Sequence, residues 1–149
     1  MAILNMRYEG DEILRKKCKE VKNVDDRIRE ILEDMAETLH NTPNGAAVAA
    51  NQLGILKRLV VIDMGEGLIK LVNPVIAEAE GEQEVVEGCL SFPDKIGKLI
   101  RPQTVVVKAF NEEGEAVTLT GTDDMAKCLC HEIDHLDGIC FTDKVTEWL

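Results

Sequence analysis

No stretch of this sequence is apolar for longer than a β-strand. The longest runs resemble Leu59-Val60-Val61-Ile62, far short of the roughly 20 residues that a membrane-spanning helix needs. The first ten residues mix Arg7 and Glu9 with isolated apolar side chains, and no signal-peptide core is read there. Cations are scarce too: 17 Lys+Arg stand against 28 Asp+Glu, a net charge of -11. That deficit argues against a nucleic-acid binder, which needs cations to displace phosphate counterions, and against docking on anionic membranes. Repeats, low-complexity tracts and linkers are absent as well. What remains is a globular composition, 45% hydrophobic and 30% charged, over 149 residues. That length corresponds to one domain, 1–149, able to bury roughly 68–70% of its unfolded surface. The expected compartment is the cytoplasm. There, five cysteines, an odd number, are more readily ligands, nucleophiles or small core residues than disulfides.

Helical periodicity is clearest over 25–41. Ile28, Ile31, Leu32, Met35 and Leu39 share one face, and Arg29, Glu30, Glu33, Asp34 and Glu37 fill the other. Asp25 or Asp26 can cap its start, and Asn41-Thr42-Pro43-Asn44-Gly45 ends it. Residues 58–63 read as a strand, and 68–72 as a second, ended by Asn73-Pro74. Residues 75–80 and 82–86 read as short strands split by Gly81. Residues 103–110 and 115–120 flank the turn Asn111-Glu112-Glu113-Gly114 as a hairpin. Thr122 or Asp123 can cap a second helix running to about Leu136, with Gly138 as its stop. The order predicts an α+β fold rather than a βαβ repeat: antiparallel strands packed around a C-terminal metal-binding helix, with an N-terminal core helix.

Only three histidines are present, and two fall in His131-Glu132-Ile133-Asp134-His135 on the predicted last helix. Four residues make about one helical turn, so both imidazoles project from one face and can share a metal ion. Glu132 lies beside them, placed to act as general base on a water at the metal. A catalytic tetrahedral site needs one more protein ligand. Fourteen residues follow His135; they contain no histidine, and Glu147 is their sole glutamate. Cys128 lies on the same helical stripe and reads as a small residue lining the site. Cys130 is rotated about 100° from His131 and points elsewhere. Cys89, in Glu87-Gly88-Cys89-Leu90-Ser91 at a strand end, would complete a Cys/His/His site with an open fourth position.

Glu87 to Ser91, read with 131–135 and with 44–52, resembles the peptide deformylase family. Its motifs, in order, are G-x-G-x-A-A-x-Q, E-G-C-L-S and Q-H-E-x-D-H. The second is matched in full, the third at His131, Glu132, Asp134 and His135, and the first at Gly45, Ala49, Ala50 and Gln52. Ile13-Leu14-Arg15 and Val21 also look like the family's opening segment, so the resemblance spans essentially the whole chain. It implies Cys89, His131 and His135 as metal ligands and Glu132 as general base and acid. Gln52 and the backbone N–H of Leu90 become the oxyanion donors. The implied activity is hydrolysis of the formyl group from the N-terminal formylmethionine of nascent peptides, with release of formate. The implied cofactor is one divalent ion, Fe(II), with zinc, nickel or cobalt able to occupy the site. Gly45, Ala46, Gly88 and Cys128 are expected to bind the substrate, with Ala46, Leu90 and Cys128 around the methionine side chain. N-formylmethionyl nascent peptides and the ribosome are the expected partners, without membrane or nucleic acid, and the protein is expected to be a monomer.

The sequence departs from the family pattern at three places. Ala47 replaces the second glycine of the first motif, Cys130 replaces the glutamine before His131, and Ile96 stands where some members carry arginine. These put substrate grip and rate in question without removing a ligand, the base or an oxyanion donor. Two other readings compete: a small zincin-like metallopeptidase, and a deformylase fold that binds metal or peptide without turnover.

Overall fold

Strand β2 (Leu59–Asp63) is apolar at successive residues because both of its faces are covered. In the computed structural model, which describes residues 2–149, Leu59 and Val61 face one core and Val60 and Ile62 face another. Helix α1 (Asp26–His40) covers the first face with Ile28, Ile31, Leu32, Met35 and Leu39. Helix α2 (Asp124–Leu136) covers the second with Ala126, Leu129, Cys130, Ile133 and Leu136. Leu32 and Met35 are completely buried; burial of each side chain stabilises the fold by about 1.5–3 kcal/mol. Asp25 rather than Asp26 caps α1, its side chain accepting the Ile28 N–H at 3.0 Å.

The strands form two antiparallel sheets. β1 (Ala47–Ala49), β2, β3 (Leu68–Glu80), β6 (Thr104–Phe110) and β7 (Ala116–Thr122) make a five-stranded sheet in the order β1-β2-β3-β6-β7. β4 (Gln83–Cys89), β5 (Phe92–Arg101) and β8 (Glu147–Trp148) make a smaller one. The α+β expectation therefore holds, and β6 and β7 form the hairpin read from 103–120.

Asn73-Pro74 does not end a strand. β3 runs through it with a register shift between Val72 and Val75. Asn73 takes φ 53 and grips the N-terminal segment: its Oδ1 accepts the Val21 N–H at 2.9 Å and its Nδ2 donates to the Val21 carbonyl at 2.8 Å. Proline is tolerated at such a bulge, where the ladder is already interrupted. The fragments 75–80 and 82–86 are thus the end of β3 and the body of β4, turned at Gly81.

β5 has no counterpart among the strands read from the sequence. Its inward positions include Gly97 and Arg101 beside Leu99, so no apolar alternation marks it. Asp123 sits at the N-cap of α2 with φ 56, but its side chain makes no capping bond; it takes the Gln103 amide instead. A Cβ on Gly121 would lie 2.8 Å from Leu129 Cδ1, so this glycine lets β7 approach α2 closely. Gly138 (φ 76) ends the helix as expected.

Candidate metal and catalytic site

Cys89 ends β4, and His131 and His135 face it from α2. Its sulfur and one ring nitrogen of each histidine all lie within 4.8 Å of one another, with Cys89 Sγ 3.3 Å from His135 Nε2. Cys128 is not in this cluster. It lines the adjoining cavity, and burial pushes its thiol far up, so it stays neutral at ordinary pH.

A buried ion-pair chain fixes the first histidine. Nδ1 of His131 donates to Glu87 Oε1 at 2.7 Å. Arg101 holds the same carboxylate with Nε and one terminal nitrogen, at 2.7 and 2.9 Å, and passes its other terminal nitrogen to Asp134 at 2.8 Å. Burial raises the Glu87 pKa, but the bonds from Arg101 and His131 outweigh it and hold the group at about 2. Glu87 is therefore the acceptor of the Nδ1 proton, and Nε2 is the nitrogen of His131 that would serve a metal ion. His135 is fully buried, and burial followed by the neighbouring His131 charge pushes its pKa well down.

Glu132 is buried beside these donors. Its Oε2 lies 3.9 Å from His131 Nε2, and its Oε1 has no hydrogen-bond partner among the described residues. Burial, more than any charge, raises its pKa to about 7. An unpartnered carboxylate next to three converging N and S donors fits a site completed by a metal ion and water. Thiolate and imidazole are suitable donors for zinc, iron, nickel or cobalt in divalent form.

The cavity in front measures about 550 Å³ and is lined by Gln52, Leu90, His131 and Glu132 together with Ala46, Gly88 and Cys128. Gln52 lies in a 3-10 turn (Ala50–Leu53), and its Nε2 is 3.4 Å from Cys89 Sγ. The Leu90 N–H lies in the two-residue connection between β4 and β5. Gly45, expected at the substrate pocket, does not line the cavity. A Cβ there would meet the Leu39 carbonyl oxygen at 2.9 Å, so glycine serves the tight turn after α1.

Two of the three departures line the cavity and the third lies in the core. Ala47 sits in β1, outside the positive-φ residues, and its methyl group packs in the core beside the cavity. Cys130 is buried in the same core. Ile96 lines the cavity from β5 and is half exposed. Sequence reasoning gave no role to Glu87, Ser91 or Arg101. The first two lie inside the E-G-C-L-S motif, which was the available signal. Arg101 has no local signal, because its partners are distant in sequence.

Residues 3–148 match the family described as Polypeptide deformylase. The chain is 64% identical over 149 residues to Peptide deformylase 2 of Clostridium acetobutylicum, covering all of this chain and 99% of that protein. It is 55% identical to the peptide deformylase of Acetivibrio thermocellus, covering 100% of this chain and 87% of that one. The crystal structure of peptide deformylase from Thermotoga maritima superposes with a TM-score of 0.93 at 34% identity, over 98% of this chain and 99% of that chain.

Proposed function

The chain belongs to the peptide deformylase family, a metal-dependent hydrolase of protein biosynthesis that removes the formyl group from N-terminal formylmethionine, and we propose that Cys89, His131 and His135 hold its metal. The observation that carries this assignment is the convergence of the three donors within 4.8 Å beside the unpartnered Glu132 carboxylate. A divalent ion bound there acts as a Lewis acid and brings the pKa of water toward neutrality.

Glu132 takes the proton from the attacking water and passes it to the departing methionine amine. A pKa near 7 suits both halves of that transfer. Negative charge gathers on the formyl oxygen as its carbon becomes tetrahedral. Gln52 Nε2 and the Leu90 N–H, on two residues that line the cavity, are the donors to it. Glu87 keeps His131 in the ligating tautomer throughout. Ala46, Leu90 and Cys128 receive the methionine side chain, Gly88 binds the substrate beside them, and Gly45 shapes the turn after α1. The ion is proposed to be Fe(II), although the same donors suit zinc, nickel or cobalt.

We read the chain as one catalytic domain, in which the three donors and the cavity lie together, and as a monomer. Its substrate class supports the cytoplasm as its compartment and the ribosome as a partner. No helix among the described residues is long and apolar enough to cross a membrane. A buried base with one oxygen unpartnered among the described residues disfavours the binding-only reading, which has no use for one.

The test is anaerobic purification, measurement of bound metal, and assay of formate release from formyl-Met peptides beside hydrolysis of unformylated ones. One ion per chain with formate release is expected. Internal peptide-bond cleavage without formate would overturn the assignment.

A further inference from the structure

The two oxyanion donors sit on different segments, and hydrogen bonds outside the chemistry tie those segments together. Gln52 is 1% exposed, and its Oε1 accepts the Ala49 N–H at 3.0 Å. A backbone N–H can only donate, which orients the carboxamide and places Nε2 on the opposite side. One Nε2 hydrogen is donated to Ser91 Oγ at 3.1 Å, leaving the other toward Cys89 Sγ and the cavity. Ser91 is completely buried, and its own hydroxyl points at Met6 Sδ, 3.8 Å away. The backbone of the same N-terminal segment closes the arrangement. The Arg7 N–H donates to the Gln52 carbonyl at 2.7 Å, and the Glu9 N–H donates to the Ser91 carbonyl at 2.9 Å. One short N-terminal strap thus spans both donor-bearing segments.

We propose that Ser91 is a positioning residue for Gln52, holding one amide hydrogen so that the other is aimed at the developing oxyanion, with segment 6–9 locking the pair. The inference rests on the assignment of Gln52 as an oxyanion donor. The terminal torsion of glutamine is broad when nothing restrains it, and an oxyanion donor is effective in proportion to its preorganisation. Ser91 supplies the restraint from a residue that does not touch the substrate.

The experiment compares Ser91→Ala, Gln52→Ala and the double variant with the wild type in formate release, metal content and side-chain amide exchange. Ser91→Ala is expected to lower kcat about tenfold, less than the 10²–10³-fold loss typical when an oxyanion donor is removed outright. KM should stay within about twofold if the lost interaction belongs to the transition state, with unchanged metal per chain. In the Gln52→Ala background the same change should cost nothing further, because Ser91 then has nothing to position. Nitrogen-15 NMR of the metal-free protein gives a second readout: slow exchange of the Gln52 side-chain amide in the wild type, lost in Ser91→Ala. Equal losses in both backgrounds, an unchanged kcat, a loss confined to KM, or fast exchange in the wild type would each overturn the proposal. A wild-type rate insensitive to Gln52→Ala would overturn the oxyanion assignment itself, an outcome distinct from a slow Gln52→Ala beside a normal Ser91→Ala.

Discussion

Glu132 and Cys89 make separable contributions to the same site, and single substitutions can show it. Glu132→Gln keeps the size of the side chain but removes the base, so formate release should fall about 10²–10⁴-fold, the usual range for general acid–base catalysis. Bound metal, measured by atomic emission, should remain near the wild-type level because Glu132 is not among the converging donors. Cys89→Ala should instead strip the metal, whereas Cys128→Ala should leave it in place and alter only the pocket wall. Metal retained in Cys89→Ala but lost in Cys128→Ala would move the third ligand onto α2. That His131 and His135 share one face was legible from sequence because histidine is rare in this chain and a one-turn spacing has a geometric consequence. The chain from His131 through Glu87 to Arg101 was not, because each link joins residues separated by 14 or 44 positions.

At the scale of elements, β3 and β5 carry the features that local pattern conceals. α1 was legible because its periodicity is sustained over four turns and one face is buried. β3 seemed to stop at Asn73-Pro74 because those residues ordinarily end strands; tertiary hydrogen bonds to Val21 keep the strand going beyond them. Asn73→Ala would lose both bonds and place an alanine at φ 53. Its expected cost is about 2–4 kcal/mol, combining about 1 kcal/mol for αL strain with two hydrogen bonds of about 0.5–1.5 kcal/mol each. Asn73→Gly, which removes the bonds but not the tolerance for positive φ, should cost less, and urea unfolding of the two variants measures the difference. β5 is concealed for another reason. One of its inward positions is Arg101, 3% exposed against Glu87, a charge where a strand pattern calls for an apolar residue. Arg101→Met leaves the Glu87 carboxylate buried without its guanidinium, and breaking one side of such a pair costs about 3–5 kcal/mol. A loss below about 1 kcal/mol in urea unfolding would mean that His131 alone satisfies Glu87.

The whole molecule is two sheets with the proposed metal site at their junction. Cys89 belongs to the three-stranded sheet, while α2 packs on the five-stranded one and supplies both histidines. An ion held by all three therefore joins the two halves of the fold, and its binding energy adds to folding stability, because the unfolded chain does not present the three donors together. At a free metal concentration of 100 Kd the linkage is about 2.7 kcal/mol. For a domain of about 150 residues, 1 kcal/mol moves Tm by about 2–4 °C. Adding zinc at that ratio to the metal-free protein should thus raise Tm by about 5–11 °C in a calorimetric scan. Cys89→Ala retains both histidines but loses the arm on the second sheet, so the same zinc concentration should move its Tm by less than about 2 °C, on the same conversion. Glu132→Gln, with all three donors intact, should respond as the wild type does. Equal shifts in wild type and Cys89→Ala would show that the two histidines on α2 suffice for the metal and that it does not span the sheets.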